Sequence, residues 1–400
     1  MIDYTPRRLV KVSADANNNK YYDMTPMGSV WEAAYGRIGA SPQRRTYSLR
    51  DWEKKYNEKL SKGYVDRTWL VQDLIEVQPV SDEYQPIPQE SIAEIVRRLR
   101  EMARQAVEEN YTISSNKVTM AMVDEAQLML NALGDKRSLN DFNLLLAELF
   151  GVIPRRMASV RSNLATSVDQ FGDIIRREQD LLDVMRGQIY VPQPIKVADA
   201  APAQQTILEA NGLVFEEAAP EDILKIKSCL GSCADKFCQA WRVQNLRTQQ
   251  AFDGYVSPEH IATKLLWHGS RNENWWSIIN GGLVLKPTNA VITGKMFGYG
   301  IYFATKARKS LGYTSLSGSY WAKGSASNAF MGLYEVAYGK PYDVHSFSST
   351  YNSFNYGKLQ AACPGANCLH AHEGQMLRND EIIVYQECQT TIKYLVELKN

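Results

Sequence analysis

Four hundred residues with 44% hydrophobic and 22% charged content supply enough apolar material for two or three globular domains, each with its own core. No stretch approaches the length of an apolar membrane span, and the start, Met1-Ile2-Asp3-Tyr4-Thr5-Pro6-Arg7-Arg8, has no apolar leader, so an intracellular protein with no membrane partner is expected. Net charge is only +1 but uneven: residues 1–75 hold 13 Lys/Arg against 9 Asp/Glu (+4) and the remainder 32 against 35 (−3), so phosphate contacts are sought in the N-terminal part.

Residues 1–76 alternate short apolar or aromatic runs with turn signals at Asn17-Asn18-Asn19, Met27-Gly28, 39–42 and Gly63, which predicts a small antiparallel sheet. One helix, 48–62, is predicted to cross it, because Leu49, Trp52, Tyr56 and Leu60 recur at spacings of three and four. The stretch Trp31-Glu32-Ala33-Ala34-Tyr35-Gly36-Arg37-Ile38-Gly39 sets an aromatic, a glycine and an arginine side by side. By spacing alone, Arg37 is equally well a solvated strand arginine and Gly36 a bulge.

Pro79, Pro86 and Pro88 mark a linker at 79–88, after which the hydrophobic period changes. Ile92, Ile95, Val96, Leu99, Met102, Ala103, Ala106 and Val107 recur at three and four and predict an amphipathic helix. Further helices are predicted at 119–133 before Gly134, at 139–150 before Pro154, and at 167–185 with Gly187 and Pro192 beyond. Together they predict a helical bundle, followed by an Ala/Pro-rich linker at 192–205.

Beyond that linker, strands are predicted at 213–215, 237–243, 330–338, 381–387 and 390–398, with a helix at 218–230. The stretch 265–313 reads as strand, short helix, loop, strand: an apolar run into His268, an amphipathic turn ending in Gly281-Gly282, then a Gly-rich loop into Ile301-Tyr302-Phe303-Ala304. Gly294, Gly298 and Gly300 lead into a strand, whereas a dinucleotide fingerprint opens a helix, which argues against a Rossmann site. Six cysteines are too sparse for a disulfide framework. Cys363, Cys368, His370 and His372 place four zinc-ligand types within ten residues, but the two histidines are too close for the usual finger pattern, so this segment reads as a surface loop, with structural zinc as the alternative.

Four blocks occur in one order: His268-Gly269-Ser270, Gly300-Ile301-Tyr302-Phe303-Ala304, Lys309-Ser310-Leu311-Gly312-Tyr313 and Asn379-Asp380-Glu381-Ile382-Ile383-Val384-Tyr385. Together they resemble the poly(ADP-ribose) polymerase family, of diphtheria-toxin-like ADP-ribosyltransferase fold. The stretch from Trp31 to Gly39, with Trp52, Tyr56 and Lys62-Gly63-Tyr64, resembles the WGR domain of the family's DNA-dependent members, with Tyr35 where the family has tryptophan. The bundle, with Phe150-Gly151-Val152-Ile153-Pro154 and Asp180-Leu181-Leu182-Asp183, resembles the family's helical regulatory domain. The resemblance implies a multidomain α+β chain: a small WGR-like β domain with one helix over 1–78, an all-α regulatory bundle over 86–191, and a mixed α/β ADP-ribosyltransferase domain over 206–400.

It also implies NAD+ as substrate, no metal requirement, DNA with strand breaks as partner and stimulus, and acceptor proteins that include the chain itself. His268, Tyr302 and Glu381 match the family's catalytic triad. The imidazole would hold a ribose hydroxyl and the tyrosine would wall the nicotinamide pocket. The carboxylate would hold the ribose 2′-hydroxyl, stabilise an oxocarbenium-like sugar and polarise the acceptor. Gly269 and Ser310 would bind the carboxamide, Tyr313 would stack on the pyridine ring, and Ser270, Asn274 and Asp183 would approach the adenosine. Met296 would line the acceptor side, and Tyr35 and Arg37 would grip a DNA end. Val284 stands where relatives often carry arginine. Glu381 favours polymer synthesis, with single-unit transfer, an inactive DNA-end-binding regulator and an NAD glycohydrolase as alternatives. The expected compartment is the nucleus in a eukaryote and the cytoplasm in a prokaryote.

Overall fold

The computed structural model describes residues 4–13, 18–38, 40–68, 84–111, 118–189, 205–285, 296–320, 322–374 and 377–400. These fall into two compact units: the described residues up to 68 with those of 105–189, and residues 84–104 with those from 205 onward. Residues 79–83 of the predicted linker at 79–88, and 192–204 of the one at 192–205, lie outside the described residues.

In the first unit, β1 (Arg7–Ser13), β2 (Asn18–Met27), β3 (Val30–Arg37), β4 (Gln43–Ser48) and β5 (Val65–Asp66) form an antiparallel sheet of order β4-β3-β2-β1-β5. Met27 pairs with Val30, which leaves two residues for the turn, and Gly28 takes the positive φ of +67° that such a tight hairpin demands. The predicted helix begins as a 3-10 turn at Leu49–Asp51, where the Ser48 hydroxyl accepts from the Arg50 amide, and continues as α1 (Trp52–Ser61). Trp52 is fully buried edge-on against Trp31, with ring centroids 5.4 Å apart, while Leu49, Tyr56 and Leu60 pack partly buried around the same core of Leu9, Tyr22, Met24 and Ala33.

Four helices follow: α2 (Glu90–Asn110), whose last residues belong to this unit, α3 (Met120–Leu133), α4 (Leu139–Val152) and α5 (Phe171–Ile189). Thr119 and Ser138 cap α3 and α4 through side-chain oxygens that accept from the Met122 and Asp141 amides. The C-terminal end of α4 lies on β1, where a methyl group at Gly151 would come 3.1 Å from Val12 Cγ2 and crowd the contact by a few tenths of an ångström. Arg155, buried, reaches Glu178 at 3.3 Å and stacks over Tyr111 at 4.9 Å.

The second unit is built on a mixed sheet. Its elements in order are α6 (Ile207–Ala210), β6 (Leu213–Glu217), α7 (Pro220–Leu230), β7 (Phe237–Asn245), α8 (Leu246–Val256), β8 (Thr263–Gly269), α9 (Trp275–Gly281), β9 (Ile301–Ala304) and α10 (Ala307–Leu311). They are followed by β10 (Asn328–Ala337), β11 (Pro341–Val344), α11 (Tyr356–Ala362), β12 (Cys368–Ala371), β13 (Glu381–Val384) and β14 (Thr390–Lys399). The strand order is β11-β12-β13-β9-β8-β10-β14-β7-β6. Between β8 and β9 one Cα pair, Trp267 with Ala304, carries the join, whereas β10 and β14 are paired along nearly their whole length. The sheet is therefore two halves that part at that seam. Each half has its own core, one around Trp267, Leu333 and Val396, the other around Phe297, Leu369 and Ile383. None of the helices among the described residues is long and apolar enough to cross a membrane.

Two readings change. Cys368–Ala371, expected as surface loop, is a strand with all four residues buried, because β11 and β13 flank it on both sides. Four residues are too few to show a period. The helix α8 escaped notice because Phe252 is its single buried residue; Asn245 starts it by accepting from the Arg247 and Thr248 amides.

The early part of α2 is tied to this sheet through Arg98, whose guanidinium grips both oxygens of Glu397 on β14 at 2.5 and 3.2 Å and lies 5.5 Å over the Phe330 ring. Glu397 is 4% exposed. Arg98→Ala leaves that carboxylate without its cation and is expected to lower stability by about 2–3 kcal/mol. Denaturant unfolding checks this, and a loss under ~0.5 kcal/mol contradicts it.

Candidate active site

The seam is where the triad candidates meet. In the ladder, Trp267 pairs with Ala304, Ala304 with Glu381 and Glu381 with Ala371, a single row across four strands. Tyr302 precedes Ala304 by two residues, so it points to the same face as Ala304 and Glu381. Residues more than a hundred positions apart thus occupy three adjacent strands.

His268 Nδ1 lies 3.0 Å from the Tyr302 carbonyl oxygen. A carbonyl only accepts, so Nδ1 carries the proton and Nε2 is the acceptor nitrogen in the neutral ring. Trp275, Phe303 and Tyr334 surround the imidazole edge-on at 6.5, 5.8 and 6.0 Å and fix its plane. The Tyr302 hydroxyl donates to the Gly298 carbonyl and accepts from the Phe297 amide, each at 3.0 Å. Burial raises this phenol far above its ordinary pKa, and the Glu381 charge adds to the rise. Its hydroxyl is committed to the loop; the ring face is what it offers a ligand.

Glu381 is 9% exposed and paired with the Lys309 ammonium of α10. Lys309 stood inside a recognised block without a role. A cation one residue before a site serine was the signal that could have drawn attention to it.

Ser310 Oγ donates to the Trp267 carbonyl at 3.1 Å and is buried, which ties α10 down onto β8. The approach is closest at Gly269, where a Cβ would come 2.0 Å from the Ser310 carbonyl oxygen, so glycine is required there by contact, not by φ. Gly298 meets both demands: φ is +70° and a Cβ would lie 2.2 Å from the Phe354 carbonyl oxygen. Asn274 donates to Ser270 Oγ at 3.0 Å, while its own Oδ1 is buried with no hydrogen-bond partner among the described residues. A buried, unpaired acceptor fits a ligand that brings a hydroxyl or amino donor. Tyr313 is 39% exposed, Met296 is partly buried beside Phe297, and Val284 is exposed.

The remaining candidates lie elsewhere. On β3, Tyr35 stacks on Tyr22 at 5.5 Å, with the Lys59 ammonium 5.8 Å from its ring. Arg37 donates through Nη2 to the Ala158 carbonyl at 3.1 Å. Gly36 pairs with Tyr21 in unbroken register, so the bulge reading is corrected. Asp183 accepts from Gln179 at 2.9 Å on α5. Cys363 and Cys368 do not join the histidines: the Cys368 thiol is buried against the Tyr338 carbonyl, and among the described residues the group of metal-ligand types is Asp343, His370 and His372.

An imidazole, a phenol ring and a carboxylate set along a sheet seam are the side-chain types an enzyme that breaks a glycosidic bond needs, to hold hydroxyl groups and to face developing positive charge. Residues 225–400 match the family described as "Poly(ADP-ribose) polymerase catalytic domain", and residues 5–69 match "WGR domain". The chain is 31% identical over 172 residues to the "Putative poly [ADP-ribose] polymerase-like 100L" of Invertebrate iridescent virus 6, covering 41% of this chain and 87% of that one. It is 22% identical to "Poly [ADP-ribose] polymerase 2-A" of Oryza sativa subsp. japonica over 92% of this chain and 62% of the rice protein. With "Poly [ADP-ribose] polymerase 2" of Homo sapiens it shares 30% identity over 34% of this chain and 26% of the human one. The chain belongs to the poly(ADP-ribose) polymerase family. It is an NAD+ ADP-ribosyltransferase that also carries a WGR domain.

A methyl group at position 269 cannot coexist with the Ser310 carbonyl. Gly269→Ala is expected to force β8 and α10 apart, costing about 2–3 kcal/mol and at least ~100-fold in NAD+ turnover. Thermal melting and a nicotinamide-release assay check both, and parental values for either would overturn the contact.

Proposed function

We propose that this chain builds poly(ADP-ribose) on proteins, itself among them, when broken DNA engages residues 1–78, with 86–191 as the regulatory helical part and 206–400 carrying the chemistry. The observation that carries this reading is the placement of Glu381: buried, charge-paired with Lys309, and on the face of the seam that Tyr302 also presents.

His268, with Nε2 as acceptor, takes a hydrogen bond from a hydroxyl of the nicotinamide ribose. Gly269 offers backbone groups and Ser310 its hydroxyl to the carboxamide, with Tyr302 and Tyr313 as walls on either side of the pyridine ring. Asn274 and Ser270 meet the adenosine end, where the unpaired Asn274 Oδ1 finds its donor. As the ribose C1′–nitrogen bond breaks and nicotinamide leaves with the bonding pair, Glu381 holds the 2′-hydroxyl and faces the positive charge on the sugar. An acceptor hydroxyl near Met296 then bonds to C1′, and Glu381 draws off its proton. Charge and proton handling fall to these side chains, so the transfer itself calls for no metal. Tyr35 and Arg37 give the WGR part its hold on a DNA end, a ring against sugar or base and a guanidinium on phosphate. The compartment is the nucleus in a eukaryotic host and the cytoplasm in a prokaryotic one.

Incubation with labelled NAD+, with and without nicked DNA, is expected to yield a ladder on the chain itself that grows with DNA. A single added unit would point to mono-transfer, free nicotinamide without label to hydrolysis, and no reaction under either condition to an inactive binder. Glu381→Gln is expected to cut elongation by about 100-fold or more while calorimetric NAD+ binding stays within about threefold. Equal loss of both contradicts its role. Arg37→Ala is expected to weaken DNA stimulation and to lower the salt slope of DNA binding by about one; unchanged binding removes Arg37 from the interface.

A further inference from the structure

β11 and β12 run parallel at the edge of the sheet, with Asp343 directly opposite His370. His345 and His372 lie two residues further along each chain, and the His372 amide donates to the Val344 carbonyl at 2.9 Å, which carries the pairing past the strand ends. Because side chains alternate faces, an Asp-x-His segment and a His-x-His segment stand side by side on one face.

Their side chains converge. His372 Nε2 is 2.7 Å from Asp343 Oδ1, and His370 Nδ1 is 3.7 Å from the same oxygen. The ligand-capable atoms of Asp343, His370 and His372 all fall within 4.8 Å of one another. Tetrahedral zinc with nitrogen and oxygen ligands at about 2.0–2.1 Å would set those atoms roughly 3.3 Å apart, a spacing that the 2.7 and 3.7 Å separations from Asp343 Oδ1 bracket. His370 also has the backing that metal-ligating histidines share: its other nitrogen, Nε2, is buried without a hydrogen bond among the described residues and sits 3.4 Å from Asp380 Oδ2. Asp380 is itself held by the Glu373 amide at 2.7 Å. The Tyr338 hydroxyl now meets His370 Nδ1 at 2.9 Å and would yield that nitrogen to an ion.

We propose that Asp343, His370 and His372 bind a zinc-class divalent ion that braces the edge of the sheet beside the start of β13, the strand that opens with Glu381. Two imidazoles and a carboxylate select for this class over magnesium or calcium. The rings of His370 and His372 now stack 3.8 Å apart with planes 25° from parallel, and one of them has to turn for both to aim at one ion. His372, the more exposed of the two, turns out of the stack about its soft χ2 torsion, away from His345, whose ring stacks on it at 4.3 Å. Asp380 then gains full use as the acceptor behind His370. The site is independent of the transfer chemistry proposed above, and its ligands differ from the four-residue group of Cys363, Cys368, His370 and His372 noted in the sequence.

The test uses the full chain and cobalt(II) as a spectroscopic stand-in for zinc. One equivalent is expected to give a visible ligand-field band without the thiolate charge-transfer band of cysteine ligation, and to be displaced by zinc. His372→Ala and Asp343→Asn, both at partly exposed positions, are expected to weaken binding at least tenfold and to melt within about two degrees of the parent in chelator; Cys363→Ser changes nothing. Zinc is expected to raise the melting midpoint of the parent but not of the two variants. A thiolate band, the absence of stoichiometric binding, or binding that survives both substitutions overturns the site.

Discussion

The transferase half turns on the one Cα pair, Trp267 with Ala304, that joins β8 to β9. A fully hydrogen-bonded sheet would bury its backbone polar groups in neighbouring strands and leave no room for a substrate. A seam held at one point leaves the two sides of the sheet free to keep separate apolar cores. The parts around the seam are then drawn together by backbone contact. Ser310 reaches the Trp267 carbonyl, His268 the Tyr302 carbonyl, and Tyr302 the loop at 297–298. Of these, the His268 bond crosses from β8 to β9, while the Ser310 and Tyr302 bonds each secure an element within its own half.

Much of this was legible in the residues. The four blocks pointed to the family, the strand through Tyr302 and the helix stripe through Trp52 were visible as periods, and the Gly-rich loop was read as leading into a strand because the residues after it are apolar and β-prone. What escaped was set by tertiary context. β12 is four residues long and buried only because strands flank it, and Lys309 acquires meaning only when Glu381, 72 positions away, is placed against it. The hydroxyl of Tyr302 could not be assigned from sequence either, since both its partners are backbone atoms of a loop.

The first unit shows a second kind of dependence. β1, α4 and the turn near Ala158 are tied by Gly151 against Val12, by Arg37 on the Ala158 carbonyl and by Arg67 with Glu125 at 3.5 Å. The β domain and the helices after it therefore share contacts rather than a simple tether. A ligand that moved Arg37 would have to break its bond to Ala158, so binding at β3 and the arrangement of that helical segment are energetically linked in both directions.

Gly269 has an implication of its own. At that point bare main chain is pressed against main chain, and no side chain can be grafted onto it without separating two elements. What position 269 presents is therefore fixed by the direction of its backbone donor and acceptor, which a lineage cannot retune by exchanging one residue for another. Change in bulk or charge is thereby left to less constrained positions such as the exposed Val284.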